Sequence, residues 1–346
     1  MAEGKYCDGV IKNIVKGMLS SGLVEEVLAF TQGLDEDDIM PTFISDEQDA
    51  EKIVTTSYNP SSLAKLISDF TDKERKIGVV VRSCDARAII ELAKRKQVNL
   101  DNIYMVGIEC YGVAKVGAEK EGSLYIFTSE VEIGGEKKAL NEEMLRPSCR
   151  RCEYPIPTMA DISCQSDGDK TFVKVYTEKG KEIASSANIS TEETDTDIKG
   201  IKERAAQWQQ KDFGEIKEMP LQERLNYWFS QFDKCIKCYG CKNSCPICYC
   251  EDCYLGADRV LIRPGEFPPE KLFHLTRLIH VADSCLNCGQ FEAACPMNIP
   301  LSKLYHMLYN ELSSAFGYDS GFDVTLTPPL GTITEEDKKM GGVEFG

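Results

Sequence analysis

The chain has 346 residues, 42% of them hydrophobic and 28% charged, a length suited to two domains and a composition that excludes a wholly disordered protein. Lys and Arg number 40 against 56 Asp and Glu, so the net charge is −16, and nucleic acid and anionic membrane are excluded as default partners. No apolar run is long enough for a membrane span, and the opening MAEGKYCDGVIKNIVKG does not read as a secretory signal. Sixteen cysteines against three histidines then become the informative number, because thiols in a chain without an export signal favour metal over disulfides.

The N-terminal part alternates helix and strand. Val10, Ile11, Ile14, Val15, Met18 and Leu19 recur at helical spacing, with Gly22 as a stop. Strands are expected at residues 24–30 and 40–44, and helical stretches near 50–54 and 63–70. IGVVVR at 77–82 is short and β-branched, as for a buried parallel strand. A helix opens at Cys84-Asp85-Ala86-Arg87, and IYMVGI at 103–108 is the next strand, giving a β-α-β unit. Two short strands are expected within 122–140 around Gly134-Gly135, and one more at 172–176. Gly180 reads as turn punctuation, and the polar, acidic stretch 185–200 as a linker. Helices at about 197–211 and 221–232 lead to Cys235. The Gly, Pro and acid-rich stretch 317–346 reads as a tail that lies on a partner or stays mobile.

Ten of the cysteines fall between 235 and 295. Cys235-x-x-Cys238-x-x-Cys241-x-x-x-Cys245-Pro246 is the ferredoxin spacing, in which three sulfurs surround one cluster and the fourth crosses to its neighbour. Structural zinc, the alternative, prefers two separated CxxC pairs. Cys285-x-x-Cys288-x-x-Phe291-x-x-x-Cys295-Pro296 repeats the pattern with Phe291 in the third cysteine position. Ligand exchange assigns Cys235, Cys238, Cys241 and Cys295 to one cluster. It leaves Cys285, Cys288 and Cys245 one ligand short, to be supplied from Cys248, Cys250 or Cys253. Of these Cys250 and Cys253 are preferred, since the chain needs a few residues to turn back after Pro246.

A third set is dispersed. Cys84 and Cys110 each follow a strand expected to be parallel, where α/β proteins place their sites, and Cys149 and Cys152 add a CxxC. Four such thiols can hold one more cluster; the bland alternative is that Cys84 and Cys110 are small buried hydrophobes. Arg146, Arg150, Arg151, Lys234, Lys237 and Lys242 flank these cysteines, either compensating thiolate charge or forming a scattered solvated surface. His274 and His280 read as core or surface residues. No GxGxxG, GxxxxGK[ST] or HExxH occurs.

Cys84-Asp85 after a strand, IECYG around Cys110, CRRCEYPIPTMADIS, CIKCYGCKNSCPICYC and FHLTRLIHVADSCLNCG together resemble the β subunits of coenzyme F420-dependent formate dehydrogenase and F420-reducing hydrogenase, the formate dehydrogenase branch in particular. The resemblance covers most of residues 5–310. It implies a cytoplasmic subunit that passes electrons between a flavin, which exchanges hydride with F420, and a catalytic or heterodisulfide reductase-like partner. It also implies that Cys84, Cys110, Cys149 and Cys152 are cluster ligands. Where the family's flavin is expected, this chain departs. It reads Cys7-Asp8-Gly9 near the first helix, and Cys164 to Asp169 runs into TFVKV without a glycine-rich loop. Weak or absent FAD and F420 binding is therefore expected.

The expected architecture is an α/β (α+β) F420-hydrogenase-β-like domain at 1–185, a linker and helix at 186–220, a ferredoxin-like two-cluster iron–sulfur domain at 221–316, and a tail at 317–346. The expected function is electron relay through three [4Fe–4S] clusters within a formate dehydrogenase, hydrogenase or heterodisulfide reductase-type complex. The alternatives are an FAD-containing F420 oxidoreductase subunit and a zinc-stabilised scaffold.

Overall fold

The computed structural model describes residues 8–34, 38–55, 57, 59–70, 74–110, 112–115, 130–133, 136–139, 142–167, 170–193, 198–251, 253, 255 and 270–331. Helix α1 (Asp8–Ser20) is followed by the strands β1 (Glu26–Gln32) and β2 (Ile39–Ile44), a 3-10 turn at Glu47–Lys52, and α2 (Leu63–Phe70). Then come β3 (Ile77–Val81), α3 (Ser83–Lys94) and β4 (Ile103–Ile108). A separate antiparallel hairpin, β5 (Glu130–Ile133) and β6 (Glu136–Ala139), matches the expected strand pair, whose Gly134-Gly135 turn lies outside the described residues. The one-turn helix α4 (Pro147–Arg150) precedes β7 (Ile162–Asp167), β8 (Lys170–Val175) and α5 (Glu178–Ser186).

The main sheet runs β2-β1-β3-β4-β7-β8. Its centre, β1-β3-β4-β7, is parallel, and an antiparallel strand closes each edge. Strand alternation makes two apolar layers. Val27, Ala29, Val80, Tyr104 and Val106 face α1 and α5, where Ile11, Ile14 and Ile183 pack. Leu28, Ile77, Val79, Val81 and Ile103 face the opposite way, against α2 and α3.

Two segments differ from the sequence expectation. Residues 162–167 form a strand, β7, where the sequence pattern gives no strand. Gly180 lies in the first turn of α5, where its N–H bonds the Thr177 hydroxyl at 3.1 Å, because Thr177 caps that helix.

The C-terminal part is helical. It comprises α6 (Lys199–Glu218), α7 (Leu221–Phe232), the one-turn α8 (Gly240–Asn243), α9 (Glu270–Val281), the one-turn α10 (Gln290–Ala293) and α11 (Leu301–Phe316). The buried layer under α3 continues without a break into Phe232, Phe273, Phe291, Ile299 and Tyr305, so one core spans the sheet and the cysteine-dense part. Polar ties cross the same junction. Arg87 donates to the Ser320 carbonyl at 2.9 Å, and Lys65 to the Cys248 carbonyl at 3.1 Å.

Residues 317–331, part of the stretch expected to lie on a partner or stay mobile, pack against the chain itself. Tyr318 is buried with its hydroxyl 2.6 Å from Glu91, and the Gly321 N–H donates to the same carboxylate at 2.7 Å. A buried anion on α3 thus holds this segment to the chain's own core. Residues 332–346, and Cys7, lie outside the described residues. Among the described residues no helix is long and apolar enough to cross a membrane.

Candidate metal centre

Two parallel strands deliver the first cysteine set. β3 and β4 end side by side, so Cys84 in the first turn of α3 and Cys110 two residues beyond β4 emerge at one sheet edge. The Cys110 N–H is fixed to the Pro155 carbonyl at 2.9 Å. Pro147 at the start of α4 sets the loop that supplies Cys149 and Cys152. All four thiols line one cavity. Cys288, from the C-terminal half, lines the same cavity.

Backbone N–H groups point at these sulfurs. The Val113 N–H donates to Cys149 Sγ at 3.3 Å, Gly112 donates to Cys110, and Tyr154 to Cys152. Gly112 has φ +133° and leaves only 3.1 Å between an added Cβ and the Cys149 Cβ, so the approach requires glycine. Burial pushes the Cys110 thiol up to about 12 and the Cys152 thiol up to about 11. Burial outweighs the nearby arginines, so without a bound metal these thiols stay protonated, and a bound metal would release their protons.

Buried cations face the set. Arg82 is pinned by Asp85 at 3.0 Å, with Cys84 and Cys110 as further neighbours. Arg146 lies against Cys149, Cys288 and Cys84, donates to the Cys288 carbonyl at 3.5 Å, and leaves Nε and Nη2 without a partner among the described residues. Sequence reasoning singled out Arg146 but missed Arg82 and Arg87, although both adjoin Cys84 in RSCDAR. The other flanking basic residues divide. Arg151 is buried with Asp212 and Arg150 covers Trp208, while Lys234 is exposed.

The second set, Cys235, Cys238, Cys241 and Cys295, lines a cavity closed by Phe273, His274 and Pro296, so the ligand-exchange pairing of Cys295 with the first loop is brought together. The two loops are copies fifty residues apart. Lys237 and Asn287 both take positive φ (52° and 56°), and their N–H groups point back at Cys235 Sγ (3.4 Å) and at Cys285. Tyr239 and Gly289 both start a one-turn helix from a left-handed conformation. His274 is a core residue stacked 4.6 Å from Phe232, and burial holds it down to about 4.

The third set places the three candidate fourth ligands differently. Cys285 and Cys288 neighbour Cys245, and the thiol hydrogen-bonded to Cys245 is that of Cys248. The Cys248 N–H also bonds the Cys245 carbonyl at 3.1 Å, so the chain turns back within three residues of Cys245, fewer than the sequence argument assumed. Cys250 is exposed and Cys253 half-buried; both line a different cavity with Cys248, Lys242 and His280. Arg277, fully buried on α9, was not anticipated. It donates to the Cys241 carbonyl at 3.0 Å and to the Tyr305 hydroxyl at 3.0 Å, with Cys245 and Cys248 beside it. The fifteen described cysteines are all free, and among the described residues no group of three or more His, Cys, Asp or Glu side chains forms a single-ion site.

These residues fit iron–sulfur clusters. Each set is rich in thiols, backbone N–H groups aim at the sulfurs, and a buried guanidinium stands by to offset thiolate charge.

Residues 74–203 match the family described as the C terminus of the coenzyme F420 hydrogenase/dehydrogenase β chain. The protein is 34% identical to the F420-dependent formate dehydrogenase subunit β of Methanocaldococcus jannaschii, covering 94% of this chain and 95% of that one. It is 33% identical to the F420-dependent formate dehydrogenase 1 subunit β of Methanococcus maripaludis, over 95% and 94% of the two chains. A solved structure of the F420-reducing [NiFe] hydrogenase complex from Methanosarcina barkeri aligns with 62% of this chain and 87% of its own, at 19% identity and a TM-score of 0.49. The chain therefore belongs to the β-subunit family of F420-dependent formate dehydrogenases.

Proposed function

We propose that the protein is the electron-transfer β subunit of a formate dehydrogenase, hydrogenase or heterodisulfide reductase-type assembly, with iron–sulfur clusters as its redox groups and a ferredoxin-like arrangement of the two C-terminal sets. Such clusters supply one-electron transfer at tuned potentials. The observation that carries the reading is contiguity. Cys288 lines the cavity of Cys84, Cys110, Cys149 and Cys152 and also neighbours Cys245 and Cys285, while Cys241 lies in the one-turn helix α8 and Cys245 just beyond it. The three sets thus form a continuous line through the junction of sheet and helices. The chain's own residues hold the sulfurs, exclude water with Phe273, Phe291 and Tyr305, and compensate their charge with Arg82, Arg146 and Arg277.

Zinc scaffolding is less well supported, because the thiol sets do not close into single-ion sites among the described residues. The F420 dependence of the relatives favours a second reading, an FAD-containing F420 oxidoreductase subunit. The stretch that lacks a glycine-rich loop bears on that reading. Residues 162–167 are sheet strand β7, with Ser163 and Gln165 buried and bonded to the Tyr176 hydroxyl at 3.2 and 3.0 Å.

Anaerobic purification with iron, sulfide, zinc and flavin measured on one sample separates the three readings. The relay predicts iron and acid-labile sulfide each approaching about twelve per chain, with little flavin. Stoichiometric FAD would select the second reading, and about one or two zinc with little iron the scaffold.

A further inference from the structure

Phe291 stands where the repeated loop pattern needs a third cysteine. It is fully buried, its ring 4.8 Å from Tyr305 and 4.9 Å from the Arg277 guanidinium carbon. Nothing at that position can ligate iron, so Cys285 and Cys288, with the exchanged Cys245, make a three-thiol set. We propose that Cys248 is the missing member, and that Cys245, Cys248, Cys285 and Cys288 together hold one cluster. This deepens the iron–sulfur reading above and rests on it.

Four observations converge on Cys248. Its thiol is in hydrogen-bond contact with Cys245, so the two sulfurs already face one another. Its backbone is anchored at both polar groups, the N–H to the Cys245 carbonyl at 3.1 Å and the carbonyl to Lys65 Nζ on α2 at 3.1 Å. The buried Tyr305 hydroxyl has Cys285, Cys245 and Cys248 together among its electrostatic neighbours. Arg277 lies against Cys245 and Cys248 and stacks on Phe291, so the charge needed to offset an extra thiolate is on hand.

The geometry also explains how the substitution is tolerated. In the first loop the third cysteine, Cys241, comes from the one-turn helix α8. In the second loop the equivalent position on α10 points a phenyl ring into the core between Tyr305 and Arg277. The ligand is instead taken from the far side, three residues beyond the exchanged cysteine. At the equivalent place after Cys295 the sequence has Asn298. The two loops are therefore complementary: one carries its third cysteine inside the helix, and the other borrows it from its partner loop. Cys250 and Cys253 share a cavity with Cys248 that includes none of Cys245, Cys285 and Cys288.

The test uses the full chain, purified anaerobically and reconstituted with ferrous iron and sulfide. Iron and sulfide are counted, and EPR spectra of the oxidised and of the reduced protein are recorded, for the parent and for Cys248→Ser, Cys250→Ser and Cys253→Ser. Cys248→Ser is expected to lose about four iron per chain, or about one with the appearance of a three-iron EPR signal, while the other two variants keep the parent's iron and spectrum. Cys248→Ser/Phe291→Cys is expected to regain the lost iron, because it restores the usual spacing. It also decides the matter if Cys248→Ser alone is insoluble. Full iron and an unchanged spectrum in Cys248→Ser, the same loss in Cys250→Ser or Cys253→Ser, or no recovery in the double variant overturns the assignment while leaving the iron–sulfur reading intact. A parent chain that takes up no iron and sulfide overturns both.

Discussion

Gly289 packs the cysteine-dense part closely against the cysteine loop of the sheet domain, and Gly289→Ala tests that contact. The residue has φ +72°, and an added Cβ would lie 2.0 Å from Ser148 Oγ and 2.8 Å from Ser148 Cβ. Two costs follow. Holding alanine in the left-handed region costs about 1 to 2 kcal/mol. Relieving the overlap by pushing the Cys285–Cys288 loop off α4 costs roughly 1 to 3 kcal/mol. The sum is about 2 to 5 kcal/mol. With an unfolding entropy of about 2.1 cal/mol/K per residue, a chain of this length loses about 3 to 7 °C in Tm. Ser148→Gly removes both clashing atoms and sacrifices no hydrogen bond, since Ser148 Oγ has no partner among the described residues. In that background only the backbone cost, about 1 to 2 kcal/mol, should remain. The assay is anaerobic thermal unfolding of the four members of the cycle. Gly289→Ala costing the same in both backgrounds, to within about 0.5 kcal/mol, would refute the close packing of the two loops.

Glu91→Ala should release the C-terminal segment. The fully buried carboxylate accepts from Lys94 (2.8 Å), Arg95 (2.7 Å), Tyr318 and Gly321, so its removal strands buried cations at a cost of about 3 to 5 kcal/mol. Limited proteolysis read by mass spectrometry should show new cuts within 317–331, and an unchanged digest would contradict the latch. His306 is held down to about 3, chiefly by burial and then by Arg151 and Arg87. A folded-state value below the unfolded one means stability that is complete above about pH 6.5 and lost as pH falls toward 3, about 2 kcal/mol of it by pH 5. Denaturant unfolding of His306→Phe should therefore lose less between pH 7 and pH 5 than the parent; equal losses would show that His306 does not titrate as a buried neutral ring.

The cysteine spacings and the helix and strand periods were legible because each is a local signal. The helix at Leu221–Phe232 and the strand at Ile77–Val81 follow from apolar period and β-branching, and the convergence of Cys84 with Cys110 follows from parallel pairing of their strands. β7 was illegible because it is buried on both faces while half polar. Ile162 and Cys164 enter the layer under α1, and Ser163 and Gln165 satisfy themselves on Tyr176. Arg277 was illegible for the opposite reason. On α9 the residues that face outward are Leu272, Leu275 and Ile279, with Ile279 66% exposed, while Arg277 and His274 face the core. A rule that sends charge to solvent and leucine inward fails where the interior offers a guanidinium a carbonyl, a hydroxyl and aromatic rings. The turn that brings Cys248 back to Cys245 was illegible, because its sharpness depends on a backbone hydrogen bond that spacing does not show.

The buried arginines explain why the cysteine-dense part does not stand apart from the sheet. A guanidinium out of water is costly unless an anion meets it. Arg82 has Asp85 and Arg151 has Asp212, but Arg87 and Arg277 are given mainly carbonyls, hydroxyls and aromatic rings, and Arg146 keeps two nitrogens unpaired among the described residues. Those last three are the ones that lie against thiols of more than one set: Arg87 against Cys152 and Cys285, Arg146 against Cys149 and Cys288, Arg277 against Cys241, Cys245 and Cys248. On the iron–sulfur reading proposed above, thiolates of a loaded site would supply the missing counter-charge. Arg87 and Arg146 are carried by the sheet domain and answer to cysteines of the helical part, so neither half can bury its own charges alone. The same contacts tie neighbouring cysteine sets to one another across the junction of sheet and helices.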